Sequence, residues 1–230
     1  NLKLKEEAKK GYFGKISGAS DLDKFYEGEI LANKFKGKQK ISVFALGSNT
    51  PKNNFNWEDL QKYGLLNTRQ NDDGGYSFSY EGDDKKGIPQ VLKSGIYFTD
   101  NPTKNTKIIF NYTYKTSEKK SRTETGTQYF LSDTSYSTTN ITDNSANAES
   151  HQLNLGIEQK IDSLTDLSIK PKINVSFSDQ QQNDTTRFFN ETNEPIRKTT
   201  IGNKNTGKIY DIGNNLLITR RFKKKDRRLI

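Results

Sequence analysis

The sequence predicts an all-β fold: an antiparallel up-and-down transmembrane β-barrel, or a segment of one. Three observations carry that prediction. Apolar residues recur at every second position in stretch after stretch. The connections between these stretches alternate between short and long. Aliphatic residues are too few for a large conventional core. The chain has 230 residues, of which 30% are hydrophobic, and a mean hydropathy of -0.96. Globular domains run at roughly 45–50% apolar, glycine included. Aromatics are nevertheless plentiful, with Phe 13 and Tyr 11. Few aliphatics with many aromatics does not suit a disordered chain; it suits short strands that are apolar on one side.

The clearest strand is Leu167 to Ser178. Leu167, Ile169, Pro171, Ile173, Val175 and Phe177 alternate with Ser168, Lys170, Lys172, Asn174, Ser176 and Ser178. Alternation over a full strand length puts one face against an apolar phase and the other against water. A helix would place Lys170 and Lys172 among the apolar residues. The chain in order then reads as follows. After a short piece with Leu2 and Leu4, residues 11–20 form a strand with Tyr12 and Ile16 on one face and Gly14 and Gly18 between. Phe25 to Phe35 is a second strand, with Tyr26, Gly28, Ile30 and Ala32 opposite Glu27, Glu29 and Asn33. Lys36-Gly37-Lys38 is a tight turn. Lys40 to Ser48 is a third strand, so nearly all apolar that its facing is ambiguous.

Asn49 to Gly87 is a long connection, within which Trp57 to Tyr63 reads as a short helix capped by Gly64. Val91 to Thr99 is a fourth strand. Lys107 to Lys115 is a fifth, with Ile108, Phe110, Tyr112 and Tyr114 on one face. A second long connection, Thr116 to Glu149, is rich in Ser, Thr and Asn towards its end and has no helical period. His151 to Gln159 is a sixth strand, with Leu153, Leu155 and Ile157 on one face. After the strand from Leu167, Asp179 to Thr206 is a third long polar connection. Lys208 to Arg220 is an eighth strand, with Tyr210, Ile212, Leu216 and Ile218 on one face. A basic turn from Arg221 to Arg228 leads into Leu229-Ile230, the start of another strand.

In an up-and-down sheet, alternate connections lie at opposite ends. All the long connections therefore fall at one end and the tight turns at the other. An outer-membrane barrel sorts its connections in this way, with apolar residues outward and polar ones inward. Only a closed barrel satisfies every backbone group of a sheet in lipid. No run of 18 apolar residues offers a transmembrane helix. The net charge is +9, and its placement supports the barrel. Lys34, Lys36, Lys38 and Lys40, with Arg220, Arg221, Lys223, Lys224, Lys225, Arg227 and Arg228, lie at the tight-turn end, opposed there by Asp226. Such a rim suits anionic headgroups; a solvated, aggregation-resistant turn is the plainer alternative. The lysines form no stripe with the aromatics, so single-stranded nucleic acid is not expected as a partner.

Candidate sites are few. The chain has no Cys and one histidine, His151. A zinc site or a Ser-His-Asp triad would need carboxylates to supply everything else, so no enzyme activity is expected. Asp72, Asp73, Glu81, Asp83 and Asp84 group in the first long connection. A solvated loop is the default reading there. Calcium is the ion such a group would take, although the spacing is not that of an EF-hand. Tyr76, Phe78 and Tyr80 alternate beside them as a hairpin tip or, with Trp57, as a ligand platform. The expected lipid-facing residues are Ile108, Phe110, Tyr112, Leu153, Leu155, Ile157, Leu167, Ile169, Ile173, Val175, Phe177, Ile212, Leu216 and Ile218. Tyr12, Tyr26, Tyr97, Tyr112, Tyr114 and Tyr210 lie toward predicted strand ends, where interfacial aromatic girdles belong.

Several stretches resemble a known family: KKGYFGKISGAS, FKGKQKISVFALGSN, QYFLSDTSY, KIDSLTDLSIKPKINVSFSDQ and LLITRRFKKKDRRLI. They are similar to the outer membrane protein β-barrel family of Bacteroidota, the TonB-dependent-receptor-like proteins. The resemblance runs through almost the whole chain. It consists of strand texture and turn phrases, with no catalytic motif. It implies that residues 1–10 end a plug domain and that residues 11–230 hold the first eight or nine of roughly twenty-two barrel strands. It further implies a Gram-negative outer-membrane location and ligand uptake, with the long connections setting selectivity. Outer-membrane lipid is the expected surrounding. TonB, engaged through a plug outside this sequence, and a surface lipoprotein are the implied protein partners. No TonB box or plug core appears in the sequence, so energised transport follows from the resemblance alone. A non-transporting barrel that anchors a surface protein or polymer is the second expectation, and a soluble secreted β-module the third.

Overall fold

The structure, a computed structural model, describes residues 10–51, 55, 88–222 and 228–229. They form one antiparallel sheet in sequential order. Its strands are β1 (Lys10–Ser20), β2 (Tyr26–Lys36), β3 (Gln39–Ser48), β4 (Gln90–Asp100), β5 (Thr106–Phe130), β6 (Ser135–Lys160), β7 (Thr165–Phe189), β8 (Pro195–Arg221) and β9 (Arg228–Leu229). Each strand pairs with its sequence neighbours, and among the described residues β1 does not pair with β9. The sheet as described is therefore open, and up-and-down throughout.

Two expected connections are strands instead. Thr116–Glu149 continues β5 and β6 out to a turn at 131–134, and Asp179–Thr206 continues β7 and β8 to a turn at 190–194. These segments lack apolar alternation because both of their faces are polar. Their threonines are good strand formers, and the ladders give their residues cross-strand partners on the same face. Asn190 closes the distal turn: its Oδ1 accepts the N–H of Glu194 at 2.8 Å and of Thr192 at 3.1 Å, with Asn193 left-handed at φ 61°. The predicted Trp57 helix, the acidic group and the basic residues 223–227 lie outside the described residues.

At the other end the turns are tight. Gly37, at φ 61°, takes the left-handed position between β2 and β3, which glycine adopts without strain. Between β6 and β7, Asp162 Oδ1 accepts the Leu164 N–H at 2.7 Å, and Thr165 Oγ1 donates to Asp162 Oδ2 at 3.0 Å. The Leu164 N–H, the Thr165 hydroxyl and the nearby Arg220 guanidinium hold the Asp162 carboxyl below its ordinary value of 3.8.

The buried core lies on one face of β2–β5. Leu31, Phe44, Leu46, Phe55 and Tyr97 form it, with Ile109 packed alongside. Phe55 meets Phe44 edge-on at 5.6 Å between ring centroids, tying the start of the 49–89 connection to this face. Glu29 is buried beside the core and ion-paired with Lys15 at 2.5 Å. The register resolves the ambiguous third strand, because Phe44 and Leu46 pack here while Ile41, Val43 and Ala45 face the other way. Tyr97, expected in an outer girdle, is 6% exposed on this inner side.

Two predictions follow from these contacts. Gly95 lies opposite Phe44, and a Cβ at Gly95 would meet the Phe44 ring and come within 2.5 Å of the Tyr112 carbonyl oxygen. Gly95→Val should therefore destabilise the sheet by about 1–3 kcal/mol, read by denaturant unfolding. The Asp162 interactions contribute stability in full above the unfolded-chain value and lose it as pH falls through the lower folded-state value. Protection of the Leu164 amide from exchange should fall below pH 3.8 in the native chain. In Asp162→Ala it should already be low at neutral pH.

Candidate lipid-facing band and polar face

The strand ladders align the apolar positions into one band. On β1 and β2, Ile16 pairs with Ile30 and Gly14 with Ala32. Ala32 pairs with Val43, Val43 with Ile96, and Ile41 with Phe98. Ile96 pairs with Tyr112 and Phe98 with Phe110. Ile108, Phe110 and Tyr112 pair with Ile157, Leu155 and Leu153. Leu153 pairs with Ile173 and Ile157 with Ile169. Leu167, Ile169 and Ile173 pair with Ile218, Leu216 and Ile212. Partners in an antiparallel ladder point to the same side. Every residue expected to face lipid therefore lies on one face, and the register adds Ile16, Ile30, Val43, Ile96 and Phe98 from β1–β4.

This face is not the one that carries the core. Ile16 is 80% exposed, Ile212 74% and Leu216 58%. These residues stand on β1 and β8, while Ile108, Phe110, Leu153, Leu155 and Ile157 between them are half-buried; an apolar face of this extent marks an interaction surface. On β7 the apolar row runs from Leu167 to Phe177, ten steps of about 3.3 Å. At a barrel strand's tilt of about 40° that row climbs about 25 Å, the height of the apolar band in outer-membrane barrels. Pro171 sits within the row, and the β6–β7 pairing is interrupted beside it for want of an N–H.

Aromatic and polar groups close the band on the side away from the tight turns. His151 Nδ1 lies 2.9 Å from Tyr112 Oη, and His151 Nε2 lies 3.1 Å from Glu149 Oε1. The Tyr114 ring sits 5.0 Å from the His151 ring, and Phe177 meets Tyr210 edge-on at 6.4 Å. His151 was expected near a strand start; because β6 begins at Ser135, it sits mid-strand at this boundary. The same shift puts Tyr112 and Tyr114 in the interior of β5. Their place at the edge of the apolar band is set by where the apolar run stops.

The opposite face of β5–β8 is mostly polar, with Ile109, Ile209 and Leu217 among its apolar members. Glu158 is shared between Lys107 at 3.6 Å and Lys170 at 3.8 Å, and Lys172 pairs with Asp211 at 3.7 Å. Beyond the band, β5–β8 continue as a wall that is polar on both sides. Thr142 Oγ1 donates to Asp184 at 2.6 Å, and Thr186 Oγ1 donates to Asn140 Oδ1 at 3.1 Å. Arg122 pairs with Asp143 at 3.7 Å and Lys204 with Asp179 at 3.3 Å. Hydrogen bonds from Thr142 and then Gln182 hold the Asp184 carboxyl below its ordinary range. A stacked Tyr129–Tyr136 pair, 4.6 Å between centroids, stands at the tip. The sequence reading missed this wall. Its legible signals were the density of threonine and the short turn phrases at Ser132-Asp133-Thr134 and Asn190–Pro195.

Trp57, Tyr76, Phe78 and Tyr80, and the acidic group Asp72, Asp73, Glu81, Asp83 and Asp84, lie outside the described residues. Among the described residues, no cluster of three or more His, Cys, Asp or Glu side chains is arranged to hold a metal.

Leu153 lies on the apolar face and its neighbour Gln152 on the polar one. Leu153→Arg should cost about 2–4 kcal/mol of folding free energy in lipid vesicles, the scale for a cation near mid-bilayer. Gln152→Arg should cost much less. Equal costs would assign the apolar face to water or to protein. No family model matches the chain, and no curated protein or solved structure matches it.

Proposed function

We propose that this chain is part of an outer-membrane β-barrel of the TonB-dependent-receptor-like kind, taking up a ligand across a Gram-negative outer membrane. The observation that carries the proposal is the exposed apolar band. It runs across one face from β1 to β8, with Asn214 as a polar member between Ile212 and Leu216, while the other face carries the core, the ion pairs and the amides. A soluble sheet buries its apolar face; here the buried core lies on the other face, and Ile16, Ile30, Ile212 and Leu216 of the apolar band stand exposed. In this reading the band faces lipid and the polar face lines the lumen. The described sheet is one arc of a larger closed barrel, and the 49–89 connection and the β5–β8 wall stand on the extracellular side. TonB would act through a plug outside this sequence.

A second reading is a non-transporting barrel that holds a surface lipoprotein or polymer. The observation favouring it is the wall itself. On β7 it runs on from Phe177 to Phe189, about 40 Å of strand beyond the band. That is a large, ordered polar surface for a partner.

Protease shaving of intact cells carrying the parent protein, with cut sites mapped by mass spectrometry, tests the topology. Cuts are expected at 21–25, 49–89, 131–134 and 190–194, and not at 37–38, 101–105 or 161–164. Equal cutting at both ends, or release of the protein without detergent, would sink the membrane reading. Loss of a surface partner with uptake unchanged, when the β5–β8 wall is shortened, would favour the anchor.

A further inference from the structure

The tight-turn edge of the apolar face carries a group of cations brought together by register alone. Lys10 on β1 is the direct cross-strand partner of Lys36 on β2, and Tyr12 is the partner of Lys34. All four share the face of Ile16 and Ile30, because each lies an even number of residues from them along its own strand. The three lysines and Tyr12 are exposed. Like charges directly opposite each other on one sheet face are unfavourable, and Lys34 adds a third within diagonal reach. No carboxylate on β1 or β2 shares this face, which carries Gly14, Gly18, Ser20, Tyr26, Gly28 and Ala32 besides the residues already named. The acids of β2 all point the other way, Glu29 to Lys15 among them. The nearest acid on this face beyond β2 is Asp100 of β4, which accepts from Gln39 Nε2 at 3.0 Å. Among the described residues, β1 and β2 thus hold three cations together on this face and place no anion beside them.

The position of the group identifies the anion. From Ile16 through Tyr12 to Lys10 the face passes from aliphatic to aromatic to cationic in three two-residue steps. That is the order in which a protein surface meets hydrocarbon, interface and headgroup phosphate. We propose that Lys10, Lys34 and Lys36, with the Tyr12 ring beside them, form a binding site for the phosphate of an anionic glycerophospholipid. Its acyl chains would run up over Ile16 and Ile30. The inference rests on the reading of the apolar band as lipid-facing. It goes further in assigning a specific lipid contact to the tight-turn side, the leaflet opposite the long connection.

The test uses the full chain in a zwitterionic detergent. Phosphatidylglycerol, phosphatidylcholine and inorganic phosphate serve as probes, and bound lipid is read by native mass spectrometry. Phosphatidylglycerol should bind in preference to phosphatidylcholine, and millimolar inorganic phosphate should not displace it. The variant K10Q/K34Q/K36Q should lose about tenfold or more of that affinity, on a scale of about fivefold per lysine. The variant K10R/K34R/K36R should keep it. So should K198Q/K204Q/K208Q, which removes cations from the same face at its other end. Equal loss in both glutamine variants would reduce the effect to net charge and overturn the site. Full displacement by inorganic phosphate would make it a free-anion site. If the glutamine variant does not fold, failure of the arginine variant to bind phosphatidylglycerol overturns the site on its own. A chain that is monodisperse in buffer without detergent removes the membrane reading and this site together. A chain that needs detergent, but binds phosphatidylglycerol equally well without the three lysines, removes the site alone.

Discussion

An antiparallel ladder has a side-chain period of two, so a slip of one residue between neighbouring strands sends every side chain of one strand to the other face. The molecule depends on that constraint. Ile16, Ile30, Val43, Ile96, Phe110, Leu153, Ile173 and Ile212 come from eight different strands, yet they align because each pairing keeps the parity of the one before. The same parity sends Glu29, Lys107, Glu158, Lys170, Lys172 and Asp211 to the other side, where they find one another or Lys15. Register is pinned at the turns, by Gly37 and by the side-chain Oδ1 atoms of Asp162 and Asn190, which accept backbone N–H groups of their loops.

The two halves of the sheet use their inner faces differently. On β2–β5 that face is packed by Leu31, Phe44, Leu46, Phe55 and Tyr97, and it covers Gly95 with an aromatic ring. On β5–β8 it is held by ion pairs and amides. The apolar side chains on the outer face meet only one another along the sheet, and no second layer covers them among the described residues. Burial of such a band stabilises a fold in proportion to the apolar area removed from water, and lipid is the phase that offers it under the proposed function. An edge strand as long as β8 presents unpaired N–H and C=O groups along most of its length. A sheet in lipid cannot leave such groups open, so the same reading implies further strands beside it.

The wall beyond the band belongs to a different regime. Its residues alternate in direction like any strand, but threonine, asparagine, glutamine and charge stand on both sides. Hydrogen bonds such as Thr142–Asp184 and Thr186–Asn140 run across strands and order it. Where the band stops, Tyr112, Tyr114, His151 and Glu149 make the transition. At the opposite edge Tyr12 and the three lysines do the same. Both boundaries step from aliphatic to aromatic to charged, as a membrane interface would require.

The amino-acid sequence by itself determined the β period, the strand order and the shared side of the alternating apolar residues of β5–β8, such as Ile108, Leu153, Ile173 and Ile212. Period-two alternation is written directly in those residues, and Lys170 and Lys172 exclude the helical alternative. It also determined the sorting of connections between the two ends, because their order along the chain survives whatever their conformation. The sequence did not decide the conformation of Thr116–Glu149 and Asp179–Thr206. With polar residues dominant on both faces and no apolar alternation, a strand and a loop look alike until a neighbouring ladder supplies the pairing. The facing of Lys40–Ser48 and of Tyr97 was likewise left to the tertiary structure, since an all-apolar strand has two acceptable faces and only packing against Leu31 and Phe55 chooses between them. The juxtaposition of Lys10, Lys34 and Lys36 was also a tertiary outcome. Lys10 meets Lys34 and Lys36 only through the β1–β2 register, which the 21–25 turn sets.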